Sequence, residues 1–266
     1  MCLLGDDSES GRDRHDATQE PHTVCTCMIL ETATHRHAAY YAPAEHSRLA
    51  QLGARWLGRC AQTRRAVPQP DFRDISADLL RRATAAAARY GWHATMKAPF
   101  ELNNGIETEA IPAAFETLTQ CRATLTLPPL TLRHMGDYLA LVPQAACEAL
   151  QTLAFDCVRA LHPLAKPLSD PQIAQRRLGS LTPLQDAMLL EWGYPFVGEA
   201  FQWHMTLTGS LKALTDDELH RLERAALEWF GPILNQPVEL DAICWFVEPK
   251  AGGDFFEAQR FLLGHP

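Results

Sequence analysis

Regularly paired cysteines, a long apolar run and an excess of basic charge are all missing from this chain, and each absence removes a class of protein. The 8 cysteines of the 266 residues stand at positions 2, 25, 27, 60, 121, 147, 157 and 244, without the spacing of a disulfide framework or of CxxC zinc ligands. They are expected to be reduced, mostly buried thiols. Cys25 and Cys27 form a C-x-C with no obvious partner ligands, so no metal is expected there. No apolar run approaches the roughly 20 residues needed to span a bilayer. The opening residues lack the positive start and apolar centre of a secretory signal, so cytoplasmic residence without a membrane is the default. A formal charge of −8 argues against holding long nucleic acid through a basic surface, while leaving room for one small anionic ligand.

What is present is ordinary globular material, 47% hydrophobic and 21% charged, long enough for one large domain or two small lobes around a cleft. Residues 1–35 are largely polar and without period, which predicts a disordered N-terminal extension; residues 36–266 carry the folded pattern. Within them, His37 to Pro43 reads as a strand, Ser47 to Cys60 and Ile75 to Arg89 as helices, and Tyr90 to Phe100 as a strand. A helix over Thr108 to Ala123 and strands over Leu125 to Leu132 and Tyr138 to Val142 follow. The order then repeats. Helices over Gln144 to Leu161 and Pro171 to Trp192 lead to a strand over Phe201 to Ser210. A helix over Thr215 to Phe230, with Thr215 as N-cap, precedes strands over Val238 to Val247 and Phe255 to Leu263. The expected fold is α+β: a bilobal, duplicated domain with two mainly antiparallel sheets and flanking helices around a central cleft. The first lobe covers about 36–136 and the second about 137–266.

Corresponding strands of the two halves carry the same local text, Tyr90-Gly-Trp-His-Ala-Thr-Met-Lys97 and Phe201-Gln-Trp-His-Met-Thr-Leu-Thr208. Both contain W-H-x-T. Alternation along a strand puts His93, Thr95 and Lys97 on one face, and His204, Thr206 and Thr208 on one face of theirs; Trp92 and Trp203 turn the other way, into the core. A single H-x-T is weak evidence, since any half-exposed strand can show one. Two copies at matching points of a repeated order are not.

The residue types suit a phosphodiester. In-line attack on phosphorus needs a base for the incoming water and an acid for the leaving oxygen. Two imidazoles with ordinary pKa near 6.5 can divide those roles at neutral pH. The hydroxyls of Thr95 and Thr206 can donate to the non-bridging oxygens. His93 and His204 are therefore the candidate catalytic pair, with no metal and no cofactor required.

With these motifs the sequence resembles the 2H phosphoesterase superfamily, which includes bacterial RNA 2′,3′-cyclic phosphodiesterases and 2′-5′ RNA ligases and is defined by two H-x-[ST]-x motifs. The strings Tyr40-Tyr-Ala-Pro43, Trp56-Leu-Gly-Arg59, Tyr90 to Phe100, Leu139-Ala-Leu-Val-Pro143, Trp192-Gly-Tyr-Pro195 and Trp203 to Gly209 look like its DUF1045 branch. The resemblance implies a LigT-like fold, catalysis by His93 and His204, phosphate ligation by Thr95 and Thr206, and a phosphonate-catabolic substrate such as a ribosyl cyclic phosphate. It runs from about Arg36 to near the C-terminus.

Further candidates follow from position. Lys97 could bring a charge to the phosphate, and Tyr40 or Tyr41 could face the cleft, though alternation does not say which. Tyr194 could close over a sugar or base, and Arg176 or Arg177, the latter preferred, could hold a second phosphate. His35, His37, His46 and His134 lack the partner threonine. The leading expectation is a metal-independent hydrolase opening a small cyclic phosphodiester. The alternatives are an RNA 2′,3′-cyclic phosphodiesterase or 2′-5′ RNA ligase, and a non-catalytic nucleotide- or phosphate-binding protein. A zinc hydrolase is the weakest, because two histidines leave the metal short of ligands.

Overall fold

The structure is a computed structural model that describes residues 35–264. The expected N-terminal extension and the C-x-C of Cys25 and Cys27 lie outside the described residues, apart from His35.

The elements run in the order β1 (Arg36–Tyr41), α1 (Arg48–Leu57), β2 (Arg59–Cys60), β3 (Arg65–Ala66), α2 (Ala77–Ala88), β4 (Ala94–Phe100) and α3 (Ala110–Thr119). After them come β5 (Leu125–Leu127), β6 (Leu130–Met135), β7 (Tyr138–Pro143), α4 (Glu148–Leu161), α5 (Asp170–Arg177) and α6 (Pro183–Trp192). The chain closes with β8 (Met205–Thr206), α7 (Asp216–Phe230), β9 (Val238–Leu240), β10 (Ala242–Glu248) and β11 (Phe256–Leu262). Local chemistry fixes several boundaries. Ser47 caps α1 by accepting from Ala50 N at 3.2 Å, and Gly58 ends it in the left-handed region at φ 76°. Thr215 and Glu218 cap α7 reciprocally, the Glu218 carboxylate accepting from Thr215 N at 2.9 Å and the Thr215 hydroxyl from Glu218 N at 3.3 Å. The single helix expected over Pro171 to Trp192 is two, because the chain turns between them at Ser180, φ 53°.

The fold is α+β with antiparallel strands and flanking helices, and the two expected sheets are joined edge to edge. One seven-stranded sheet has the order β11-β10-β1-β4-β8-β7-β6, and β2-β3 and β5-β9 form separate ribbons. The β4 to β8 junction rests on the single pair Ala94↔Met205. The division near residue 136 is not the division in space. β10 and β11, from the second half, pair alongside β1, while β6 and β7 continue from β8 on the other side of the junction. Repeated element order does not reveal such an exchange, because it says nothing about which distant strands pair.

Both faces of the central strands are covered. Ala39, Tyr41, Ile243, Trp245 and Val247 join the main core with residues of α1 to α4 and α7, while Ala38, Tyr40, Ala242, Cys244 and Phe246 form a second cluster on the reverse face with Phe255. Burial on both faces is why β10 reads as an almost continuous apolar run. Trp92 stacks on Phe230 at 5.4 Å and lies so close to Gly53 that a Cβ there would fall 2.1 Å from the indole. No helix of the described residues is long and apolar enough to cross a membrane.

Candidate active site

The two W-H-x-T segments meet where β4 touches β8. The expected strands are shorter than the sequence suggests, and each histidine stands one residue before its strand: His93 before Ala94, His204 before Met205. Ala94 and Met205 are fully buried partners that face the core. Stepping one residue either way along this antiparallel pair sets His93 opposite Thr206 and Thr95 opposite His204, all on the other face. The four motif residues thus surround one point with approximate two-fold symmetry, and all four are half-buried.

Backbone carbonyls hold the two imidazoles alike. His93 Nδ1 lies 2.9 Å from the Gly91 carbonyl, and His204 Nδ1 lies 2.7 Å from that of Gln202. A carbonyl only accepts, so each Nδ1 carries hydrogen and each neutral ring presents the lone pair of Nε2. The Thr95 hydroxyl donates to His93 Nε2 and the Tyr138 hydroxyl to His204 Nε2, both at 3.3 Å. Burial lowers the His93 pKa to about 4, with the nearby His204 charge adding to the effect; burial lowers His204 as well. Gly91 makes the first loop possible: it sits at φ +77°, and a Cβ on it would lie 2.4 Å from the Ala61 Cβ.

Tyr40, not Tyr41, is the tyrosine on the histidine side. Its ring stacks on His93 with centroids 3.8 Å apart, whereas the Tyr41 hydroxyl donates to the Glu239 carbonyl at 3.0 Å from within the main core. The adjoining cleft has a volume of about 960 Å³ and is lined by Thr95, Tyr138, Tyr194 and His204, among others. His93 is set back from this lining, with Tyr40 against its ring. Thr206 is also set back.

The remaining candidates are distributed differently from expectation. Arg177 is an exposed residue in a two-pronged pair with Asp186, at 2.6 and 2.9 Å, and stands outside the cleft; its neighbour Arg176 lines it. Successive helical positions point about 100° apart, so only one of them could. Lys97 lines the cleft but is not on the His93 face. Tyr40 pairs with Thr95 and the adjacent Ala39 pairs with Lys97, so a bulge at Met96 inserts an extra residue and turns Lys97 toward α4. Thr208 is buried and accepts from Leu139 N at 3.0 Å, so its hydroxyl serves the backbone. Arg36 and Tyr138 are among the lining residues that sequence spacing did not single out. Arg36 is tied to Glu248 at 2.5 Å, and Tyr138 reaches His204 across the sheet. Tyr194 stands beside Arg176, its hydroxyl pushed up to about 12 by burial.

The model of the family "Protein of unknown function (DUF1045)" matches residues 95–256, more than half of the chain. The chain belongs to the DUF1045 family. The matched span holds Thr95, Lys97, Tyr138, Arg176, Tyr194, His204 and Thr206, and begins just after His93. Two curated relatives are each called ribose 1,5-bisphosphate phosphokinase PhnN. The protein of Janthinobacterium sp. (strain Marseille) is 34% identical over 226 residues, 85% of this chain and 50% of its own length. That of Laribacter hongkongensis (strain HLHK9) is 41% identical over 223 residues, 83% of this chain and 50% of its own length. The chain therefore spans about half the length of the curated relatives it matches. Among solved structures, one titled as a phosphoesterase aligns with TM-score 0.45 and 13% identity, covering 87% of this chain and 99% of its own. E. coli LigT complexed with NADP+ aligns with TM-score 0.43 and 12% identity, covering 88% of this chain and 100% of its own.

Proposed function

We propose that this DUF1045 protein opens a small cyclic phosphodiester by two-histidine acid–base catalysis. The observation that carries the reading is the junction of β4 and β8. One pair, Ala94↔Met205, brings two H-x-T segments face to face, with each Nδ1 committed to a carbonyl and each Nε2 meeting only a side-chain hydroxyl that a substrate can displace.

His93 serves as the base. Its lowered pKa, about 4, keeps Nε2 unprotonated at neutral pH, ready to take a proton from water as the oxygen attacks phosphorus. His204 serves as the acid. The negative charge of bound substrate offsets the burial that disfavours its cation, and its Nε2–H protonates the ring oxygen as the P–O bond breaks. The product is a phosphomonoester with a free hydroxyl. Thr95 and Thr206 donate to the non-bridging oxygens, for which the Thr95 hydroxyl must turn from His93 Nε2 to the substrate. Tyr138, donating to His204 Nε2 in the free protein, yields to the substrate oxygen in the same way. No step calls on a metal ion.

The curated relatives bear the name of a kinase for ribose 1,5-bisphosphate, and this chain matches half of their length. That name favours a phosphorylated ribose as the frame of the substrate. A panel of ribosyl cyclic phosphates, nucleoside 2′,3′-cyclic phosphates and cyclic-ended oligonucleotides, followed by 31P NMR with EDTA present, tests the proposal. Ring opening of a small ribosyl ester is expected. Preference for the oligonucleotide would move the assignment to RNA ends, and no ring opening anywhere would end the hydrolase reading.

A further inference from the structure

Lys97 is 5% exposed and, among the described residues, makes neither an ion pair nor a hydrogen bond; its ammonium stands 5.1 Å from the Phe100 ring centroid. A buried cation without a counter-charge is costly, and folded proteins usually supply one. None of the nearby groups does. The Cys157 thiol is pushed up to about 12 by burial and is neutral at pH 7. Burial lowers the His162 pKa and the nearby Lys97 charge lowers it further, and among the described residues its buried Nδ1 has no hydrogen-bond partner. Both residues line the cleft. Two carboxylates line it as well: Glu101 is engaged by Lys166 at 3.6 Å, and Glu191 is near enough to His162 for its charge to be felt there. Arg176, also on the cleft wall, makes no ion pair among the described residues either.

We propose that Lys97 and His162 form a second anion subsite, which takes a distal phosphate of a substrate whose cyclic phosphodiester lies at the two histidines. The bulge at Met96 is the device that separates the two anions. It sends Thr95 toward the reacting phosphate and Lys97 toward α4, two residues or about 7 Å further along the strand. The substrate class is a phosphorylated sugar carrying two phosphorus centres, one of them cyclic. Burial lowers the Lys97 pKa to about 8 in the free protein, and a phosphate beside it restores the charged form. This deepens the proposed function and rests on it for the position of the first phosphate.

The test compares ligands that need no turnover. Calorimetry on the full chain measures a pentose bisphosphate against the matching pentose monophosphate. The wild type is expected to favour the bisphosphate by about ten- to a hundredfold, the worth of a charge-assisted contact. K97M should shrink that preference to near unity and H162Q should reduce it, whereas K166M, altering the rim pair, should leave it intact. K97M should also melt higher than the wild type without ligand, because an uncompensated buried charge is gone. Equal affinities in the wild type would overturn the subsite even if K97M failed to fold. Loss of preference in K166M would overturn it too, by showing a diffuse field. If the bisphosphate preference holds but no cyclic ester is opened, the hydrolytic reading has failed and the subsite stands. If esters are opened without regard to a distal phosphate, the subsite alone has failed.

Discussion

Gly91 and Gln202 hold equivalent places, each offering its carbonyl to the Nδ1 of the histidine two residues on, yet the structure makes opposite demands on their side chains. At Gly91, an added Cβ meets two obstacles. The backbone lies at φ +77°, where a left-handed residue costs about 1–2 kcal/mol, and the Ala61 Cβ would be 2.4 Å away, an overlap of the kind that costs about 1–3 kcal/mol. G91A should therefore lose about 2–5 kcal/mol in urea or guanidinium unfolding. Relieving the overlap must move the loop that orients His93, and a displacement of about 1 Å at a catalytic group is worth about a hundredfold in rate. Gln202 is exposed and contributes its backbone, so Q202A should change stability by less than about 0.5 kcal/mol and leave kcat within a few-fold. Denaturant titrations and steady-state kinetics on the two variants decide the matter. Normal stability and activity in G91A would refute the role given to the loop.

Other outcomes follow from the same structure. In the free protein the His93 ring should titrate by NMR near pH 4, and inorganic phosphate should raise that midpoint; a free-protein midpoint near 6.5 would contradict the burial described. His37 is 1% exposed, accepts from Trp245 Nε1 at 3.2 Å, and has its pKa lowered by burial to about 4. Because the folded state then resists a proton that the unfolded chain accepts, stability should fall as pH drops from about 6.5 to 4, by about 3 kcal/mol from this group, with no further loss from it below. The midpoint of urea unfolding against pH, in wild type and H37Q, measures this, and a pH-independent midpoint would count against it. R176A should raise KM for a phosphorylated sugar while R177A leaves KM unchanged; the reverse pattern would return the assignment to Arg177.

The duplicated W-H-x-T text was legible because each copy is local, and so was the Thr215 cap, which needs only the carboxylate three residues on. The face of Lys97 was not. Simple alternation puts it beside His93, and only the cross-strand register of β1 and β4 reveals the bulge that turns it away. Tyr138 was hidden for a related reason: it opens an ordinary apolar strand, and its partner His204 lies 66 residues away. Arg36 gave no signal as a charged first residue of a strand. The choice between Tyr40 and Tyr41, or between Arg176 and Arg177, depends on which face a neighbouring element covers, and sequence spacing does not carry that. The exchange of β10 and β11 across the two halves is likewise a long-range pairing that element order leaves open.

The central claim is that His93 and His204 divide one proton-transfer reaction between them. Its most direct test is the turnover of a small ribosyl cyclic phosphate by H93A and by H204A, with EDTA present and folding checked by circular dichroism. Each variant should keep the wild-type spectrum and lose about 10²–10⁴ in kcat, the usual worth of a positioned general acid or base. Full activity in either variant, or activity abolished in the wild type by EDTA, would contradict the account.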